Sequence, residues 1–142
     1  MAFAEFKKFD IATNQLETAL KLYLDGGDRF SVITLAGAAE EILGKELQSR
    51  GLTNALDTDK ALTSAVSQAF GNKPVPPKVV ADIANHARNQ IKHLDSGGPR
   101  TVEMDPDEEA KDMLDRATTN YWKLTEDQTP LMLQYLRERF SW

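Results

Sequence analysis

Apolar residues recur at three- and four-residue spacing through most of this chain. That period belongs to helices packed on one face, and no stretch alternates in the manner of a half-buried strand. From Asp10 to Leu24 the positions Ile11, Leu16, Ala19, Leu20 and Tyr23 predict a first helix. It stops at Asp25-Gly26-Gly27-Asp28, a strong breaker. Upstream, Phe3, Phe6 and Phe9 are compatible with the same helix and predict core contacts. A second helix is expected from about Arg29 to Ser49, with Gly51 as its stop. Its stretch Val32 to Leu43 is the most apolar in the chain. Ala36, Gly37, Ala38 and Ala39 there would permit close approach of another helix. A third helix is expected over Asp57 to Phe70, capped by Asp57 or Thr58, with Ala61, Leu62, Ala65, Val66, Ala69 and Phe70 facing inward. The stretch 72–77, NKPVPP, cannot be helical and reads as a stiff connector.

The stretch Val79 to Leu94 then predicts one amphipathic helix. Val80, Ile83, Ala84, Ala87, Ile91 and Leu94 form its apolar stripe. The polar face carries Asp82, Asn85, His86, Asn89 and His93, with Arg88 and Lys92 on its shoulder. Both histidines of the chain lie there. A glycine-rich loop, Asp95 to Met104, must follow. Asp105, Pro106 and Glu108 mark the next start: a cap, a proline at the first position and an acid at the third. That helix runs to about Leu124 on the stripe Ala110, Met113, Leu114, Ala117, Tyr121 and Leu124. Thr129-Pro130 opens a last helix to Phe140. The pattern as a whole predicts a single all-α domain over residues 1–142, an antiparallel, up-and-down bundle of four main helices with short extra ones.

Composition narrows the chemistry. At 142 residues the chain can bury a real core, and 41% hydrophobic with 27% charged residues is ordinary for a globular domain. With no cysteine there is neither a disulfide framework nor a thiolate metal site. No apolar run approaches a membrane span and no secretory leader is evident, so a cytoplasmic protein without a membrane partner is expected. The net charge of −5 argues against a surface coated for nonspecific nucleic-acid binding. A local basic stretch remains: Lys73, Lys78, Arg88, Lys92, His93 and Arg100. The phosphate-cradling glycine loop, the serine elbow and the cysteine nucleophile are all missing.

His86 and His93 are seven residues apart, roughly 10.5 Å along a helix, too far for two ligands of one zinc ion. No metal and no cofactor is expected. Arg88, Asn89 and His93 have the residue types for metal-free cleavage of RNA. That reaction needs a base for the ribose 2′-OH, a cation for the phosphorane and an acid for the leaving 5′-oxygen. Histidine, with an ordinary pKa of about 6.5, suits the proton transfers, and the arginine fork suits the phosphate. Lys92, Arg100 and Lys78 are the candidate substrate-binding cations. Glu40 and Glu41 interrupt the apolar second helix. One is expected in solvent, and one could pair with Arg88 and orient it. On one straight helix, however, Arg88 and His93 point about 140° apart. Either the long arginine reaches around or a second copy of the helix completes the site.

The run Arg88-Asn89-Gln90-Ile91-Lys92-His93 resembles the arginine–polar–histidine signature of the HEPN superfamily of small helical proteins. Its place on a late helix, ahead of a loop and a further helix, is also similar. The resemblance implies a metal-independent endoribonuclease with its site at a homodimer interface: His93 as general acid/base, Arg88 as transition-state clamp and Asn89 as positioning residue. It further implies RNA as substrate, 2′,3′-cyclic phosphate products, and a place as the toxin of a toxin–antitoxin or phage-defence pair. A nucleotidyltransferase-like antitoxin would then be the partner. The alternative reading is a non-catalytic HEPN-like module for dimerisation or for binding a protein or nucleotide.

Overall fold

The computed structural model describes residues 2–141 and is all-helical, with no strand among them. Seven helices follow in order: α1 Lys8–Leu24, α2 Arg29–Ser49, α3 Ala55–Ala69, α4 Pro77–Ala84, α5 His86–Lys92, α6 Pro106–Thr125 and α7 Pro130–Phe140. Their ends follow from the sequence. Asp28 caps α2 by accepting from the Ser31 amide. Asp105 accepts from the amides of Asp107 and Glu108 and starts α6, with Pro106 at the first position. Thr129 and Pro130 do the same for α7. Gly51 and Gly71 take positive φ just beyond α2 and α3, where a side chain would be strained.

The main core cluster is built by α1, α2, α6 and α7, with Ile91 of α5 packed against it. Leu16, Ala19 and Leu20 of α1 meet Val32, Ile33, Ala36, Ala39 and Leu43 of α2. Ala110, Leu114 and Ala117 of α6, with Met132 and Tyr135 of α7, close it. α2 lies between α1 and α6, and α7 packs on α1. Tyr135 is buried with its hydroxyl donating to Asp115 at 2.7 Å, so its polar tip is satisfied.

Four expectations are corrected. Residues 2–7 are not helical, and Phe3 and Phe6 are exposed; only Phe9 reaches the core, stacked on Tyr121 with ring centroids 6.0 Å apart. α3 begins two residues early, at Ala55, because Asn54 rather than Asp57 or Thr58 is the cap. Asn54 accepts from the Asp57 amide while the Asp57 carboxylate accepts from the Asn54 amide, a reciprocal capping box. The apolar stripe of α3 faces outward: Leu62 is 61% exposed and Phe70 81%. Lastly, the single helix expected over Val79 to Leu94 breaks at Asn85, and His93 is its extended C-cap rather than part of its last turn. Val80 and Ala87 of its stripe are buried, whereas Ile83 and Leu94 are exposed.

Candidate functional site

The break at Asn85 has a physical cause. In an unbroken helix the Ala84 carbonyl would accept from the amide four residues on. Here Arg116 of α6 reaches across and donates Nη2 to the Ala84 carbonyl at 3.3 Å and to Asn85 Oδ1 at 2.9 Å. The captured carbonyl ends α4, and α5 starts afresh at His86.

A second arginine then fastens α5. Arg88 points inward, against α2. Its Nη1 donates to Glu40 Oε2 at 3.3 Å and to the Gly37 carbonyl at 3.5 Å. Gly37 is what admits it: a Cβ at that position would stand 2.5 Å from Arg88 Cδ and 3.0 Å from Cγ. Glu40 is buried and also faces Arg116, with Oε1 4.0 Å from Nη1. Burial pushes the Glu40 carboxyl above its ordinary range, and the two guanidinium groups pull it back. Arg88 Nε and Arg116 Nη1 are buried without a hydrogen-bond partner among the described residues. Asn120, fully buried, extends the network. It donates Nδ2 to the Glu40 carbonyl at 3.2 Å and accepts from the Ala55 amide at 2.8 Å, so it joins α2, α3 and α6. Glu41, the other carboxylate in question, is on the outside and pairs with Lys45 at 3.0 Å.

The open chemistry lies at the far end of α5. His93 is exposed and lines a groove of about 200 Å³ with Lys92, Leu94, Pro99, Arg100 and Thr101. Neither Lys92 nor Arg100 is held in an ion pair within 4 Å among the described residues, so both cations are free to meet an anion. Asn89 is exposed one turn back, and its carbonyl accepts from the His93 amide at 3.1 Å. The structure thus brings His93, Lys92 and Arg100 together. It does not bring Arg88 to them within one chain, and Lys78, on the first turn of α4, pairs with Asp82 at 2.7 Å instead.

A larger groove, of about 520 Å³, runs between α3, α4 and α6 and is lined by Asp59, Asp112, Asp115, Arg116, Thr119 and Lys123. Burial raises the carboxyls of Asp59 and Asp112. Its acidic lining repels phosphate, so size alone does not make it the nucleic-acid site. No group of three or more His, Asp or Glu among the described residues is arranged to hold a metal ion. No helix among them is long and apolar enough to cross a membrane.

Sequence reasoning missed Arg116, Asn120 and Asn54. A signal was present for the first two: they are four apart on α6, and Arg116 adjoins Met113 and Ala117 of the apolar stripe. Once buried, such polar groups must be hydrogen-bonded, which is what draws them into one network. Comparison with protein-family models, with curated proteins and with solved structures finds no match to this chain.

Proposed function

We propose that this chain is a HEPN-type protein whose four core helices form an antiparallel bundle, and that it is a metal-independent endoribonuclease acting in the cytoplasm as a homodimer. The observation that carries the reading is His93, open to solvent between the free cations Lys92 and Arg100 at the end of a helix anchored from below. In this mechanism one imidazole takes the proton of the ribose 2′-OH as its oxygen attacks phosphorus. The O2′–P bond forms, the P–O5′ bond breaks, and a second imidazole protonates the departing 5′-oxygen. Two copies of the chain supply the two imidazoles. Arg100 and Lys92 meet the charge that grows on the phosphorane oxygens. Asn89 hydrogen-bonds ribose or phosphate. Arg88, spent on Glu40, fixes the direction of α5 and thereby of His93; the clamp role implied by resemblance passes to Arg100. A toxin or defence role, with a nucleotidyltransferase-like antitoxin as partner, fits a small nuclease of this kind.

The test is incubation of the purified protein with mixed RNA in EDTA, beside His93→Ala, Arg100→Ala and Arg88→Lys. The parent is expected to give cyclic-phosphate ends. His93→Ala should lose about 10²–10⁴-fold in rate, and Arg100→Ala should lose rate without losing the fold. An inert parent, or variants that cut as fast as the parent, overturns the nuclease reading. The burial of Arg88 would then favour a second reading, a HEPN-like module that binds through the same groove without chemistry.

A further inference from the structure

The groove at His93 has a floor as well as a rim, and the two differ in chemistry. Gln90 and Ile91 are half-buried, whereas the other residues that line it are exposed. The rotation of α5 puts Gln90 at the bottom. Arg88 is fastened to Glu40 on α2, and Ile91 packs against the core. The 3.6-residue period therefore turns Gln90 away from α2, to the side of His93 and one turn before it. The segment 99–102 forms the facing wall. Gln90 carries the one uncharged amide in the lining. Its side chain makes no hydrogen bond among the described residues, so its two N–H donors and its carbonyl acceptor are free. The proposed mechanism uses only the rim: the imidazole for protons, Lys92 and Arg100 for phosphate. The floor is left without a task.

We infer that Gln90 reads the base on the 5′ side of the scissile bond, and that the groove selects uracil there. The inference rests on the nuclease reading for its substrate and goes beyond it in naming the base. The 2′-OH that His93 deprotonates belongs to the nucleotide on that side, so the base beside the groove is that nucleotide's own. Ile91, Leu94 and Val102 offer its ring aliphatic contact. The count of donors and acceptors then chooses the edge. Lys92, Arg100, the Gln90 amide and the Thr101 hydroxyl all donate. Against them stand two acceptors, the Gln90 carbonyl and the Thr101 oxygen, and no carboxylate lines the groove. Adenine, guanine and cytosine each carry an exocyclic amino group, whose N–H would face this surplus of donors. Uracil carries none. Its N3–H donates to Gln90 Oε1 while its O4 accepts from Gln90 Nε2, a bidentate pair of the kind by which amide side chains tell bases apart. A base that cannot form the pair leaves the half-buried amide unsatisfied.

DNA oligonucleotides with a single ribonucleotide at one position, U, C, A or G, offer the protein one cleavable bond apiece and test the choice. The parent should cut after U at least about fivefold faster than after the other three, the low end of what a bidentate amide–base pair discriminates. Gln90→Ala should bring U down to the rate of the rest and leave the rest unchanged, with the same helical circular dichroism. Gln90→Glu can only accept, so it should favour G, whose N1–H and amino group donate side by side. A parent that cuts after all bases alike overturns the inference, as does a preference for U that survives in either variant. The all-deoxy counterparts have no 2′-OH and cannot be cut. Fluorescence anisotropy with them measures the reading apart from the chemistry. A parent that prefers deoxyuridine there, loses the preference in Gln90→Ala, and cuts nothing defeats the nuclease alone. A parent that cuts without discrimination defeats this inference alone, and one that neither cuts nor discriminates defeats both.

Discussion

Glu40 stands between two arginines where α2, α5 and α6 meet, and each neighbour of that carboxylate has a constraint that can be measured. Gly37→Ala is governed by two opposed effects. Alanine in a helix interior gains about 1 kcal/mol over glycine. The new Cβ, however, would meet Arg88 Cδ at 2.5 Å, and overpacking of this sort costs about 1–3 kcal/mol. A net loss of stability is expected in chemical denaturation. In an Arg88→Ala background the obstruction is gone, so the same substitution should become neutral or stabilising. A Gly37→Ala effect that keeps its sign in both backgrounds would break the steric argument. Glu40 itself predicts a pH dependence. Its folded pKa is raised above the ordinary 4.5, mainly by burial, so the native state holds the proton more tightly than the unfolded state. That contribution to stability is full below about pH 4.5 and fades as the pH rises through the folded value. Glu40→Gln cannot titrate. The stability of the parent minus that of Glu40→Gln should therefore fall with rising pH from about pH 4 upward, measured by urea denaturation at a series of pH values. A difference that rises with pH would mean the two arginines outweigh burial.

At the scale of the element, the α4–α5 break is the feature that sets the direction of His93, and it hangs on one side chain. Arg116→Met keeps the length of the stem and removes the guanidinium. The Ala84 carbonyl then becomes free to accept from the Arg88 amide, and the two helices should merge toward the single helix that the period of Val80, Ala84, Ala87 and Ile91 describes. Slower hydrogen exchange at the Arg88 amide would show it; exchange unchanged or faster would mean that Asn85 breaks the helix by itself. The same break shows where sequence reading stops. Helices whose stripes enter the core were legible from period and caps: α1, α2, α6 and α7 begin and end within a few residues of expectation, since Gly51, Asp105, Thr129 and their neighbours act locally. The direction of α3 was not legible. A period of 3.6 says that Leu62, Val66 and Phe70 share a face, but not what that face meets. The break at Asn85 was hidden for a similar reason, because its cause is 31 residues away on another helix. In the site, the expected pairing of Arg88 with Glu40 or Glu41 resolved to Glu40. The grouping of Lys92, His93 and Arg100 depended on the path of the loop 93–105, which no periodicity describes.

Over the whole molecule, charge decides how RNA could be handled. A net charge of −5 gives no general attraction for a polyanion, so the proposed site rests on local cations, those of the groove at His93. Each phosphate neutralised on a single strand releases counterions, and the slope of log affinity against log salt is about −0.7 per contact. Two free cations, Lys92 and Arg100, therefore predict a shallow slope of about −1.4 per copy of the chain, far below that of a protein coated in lysine. Arg100→Ala should reduce the slope by about 0.7 and leave the helical fold unchanged. Lys78→Ala should leave the slope alone, because Lys78 is already paired with Asp82 on α4. Fluorescence anisotropy with a short labelled RNA at several salt concentrations reads all three. If the slope is steep, or falls equally with Lys78→Ala, phosphate contacts are spread over the surface and the groove is not the seat of binding. If it is shallow and moves only with Arg100, an acidic helical protein is holding RNA at one local site, which an endonuclease without a metal requires.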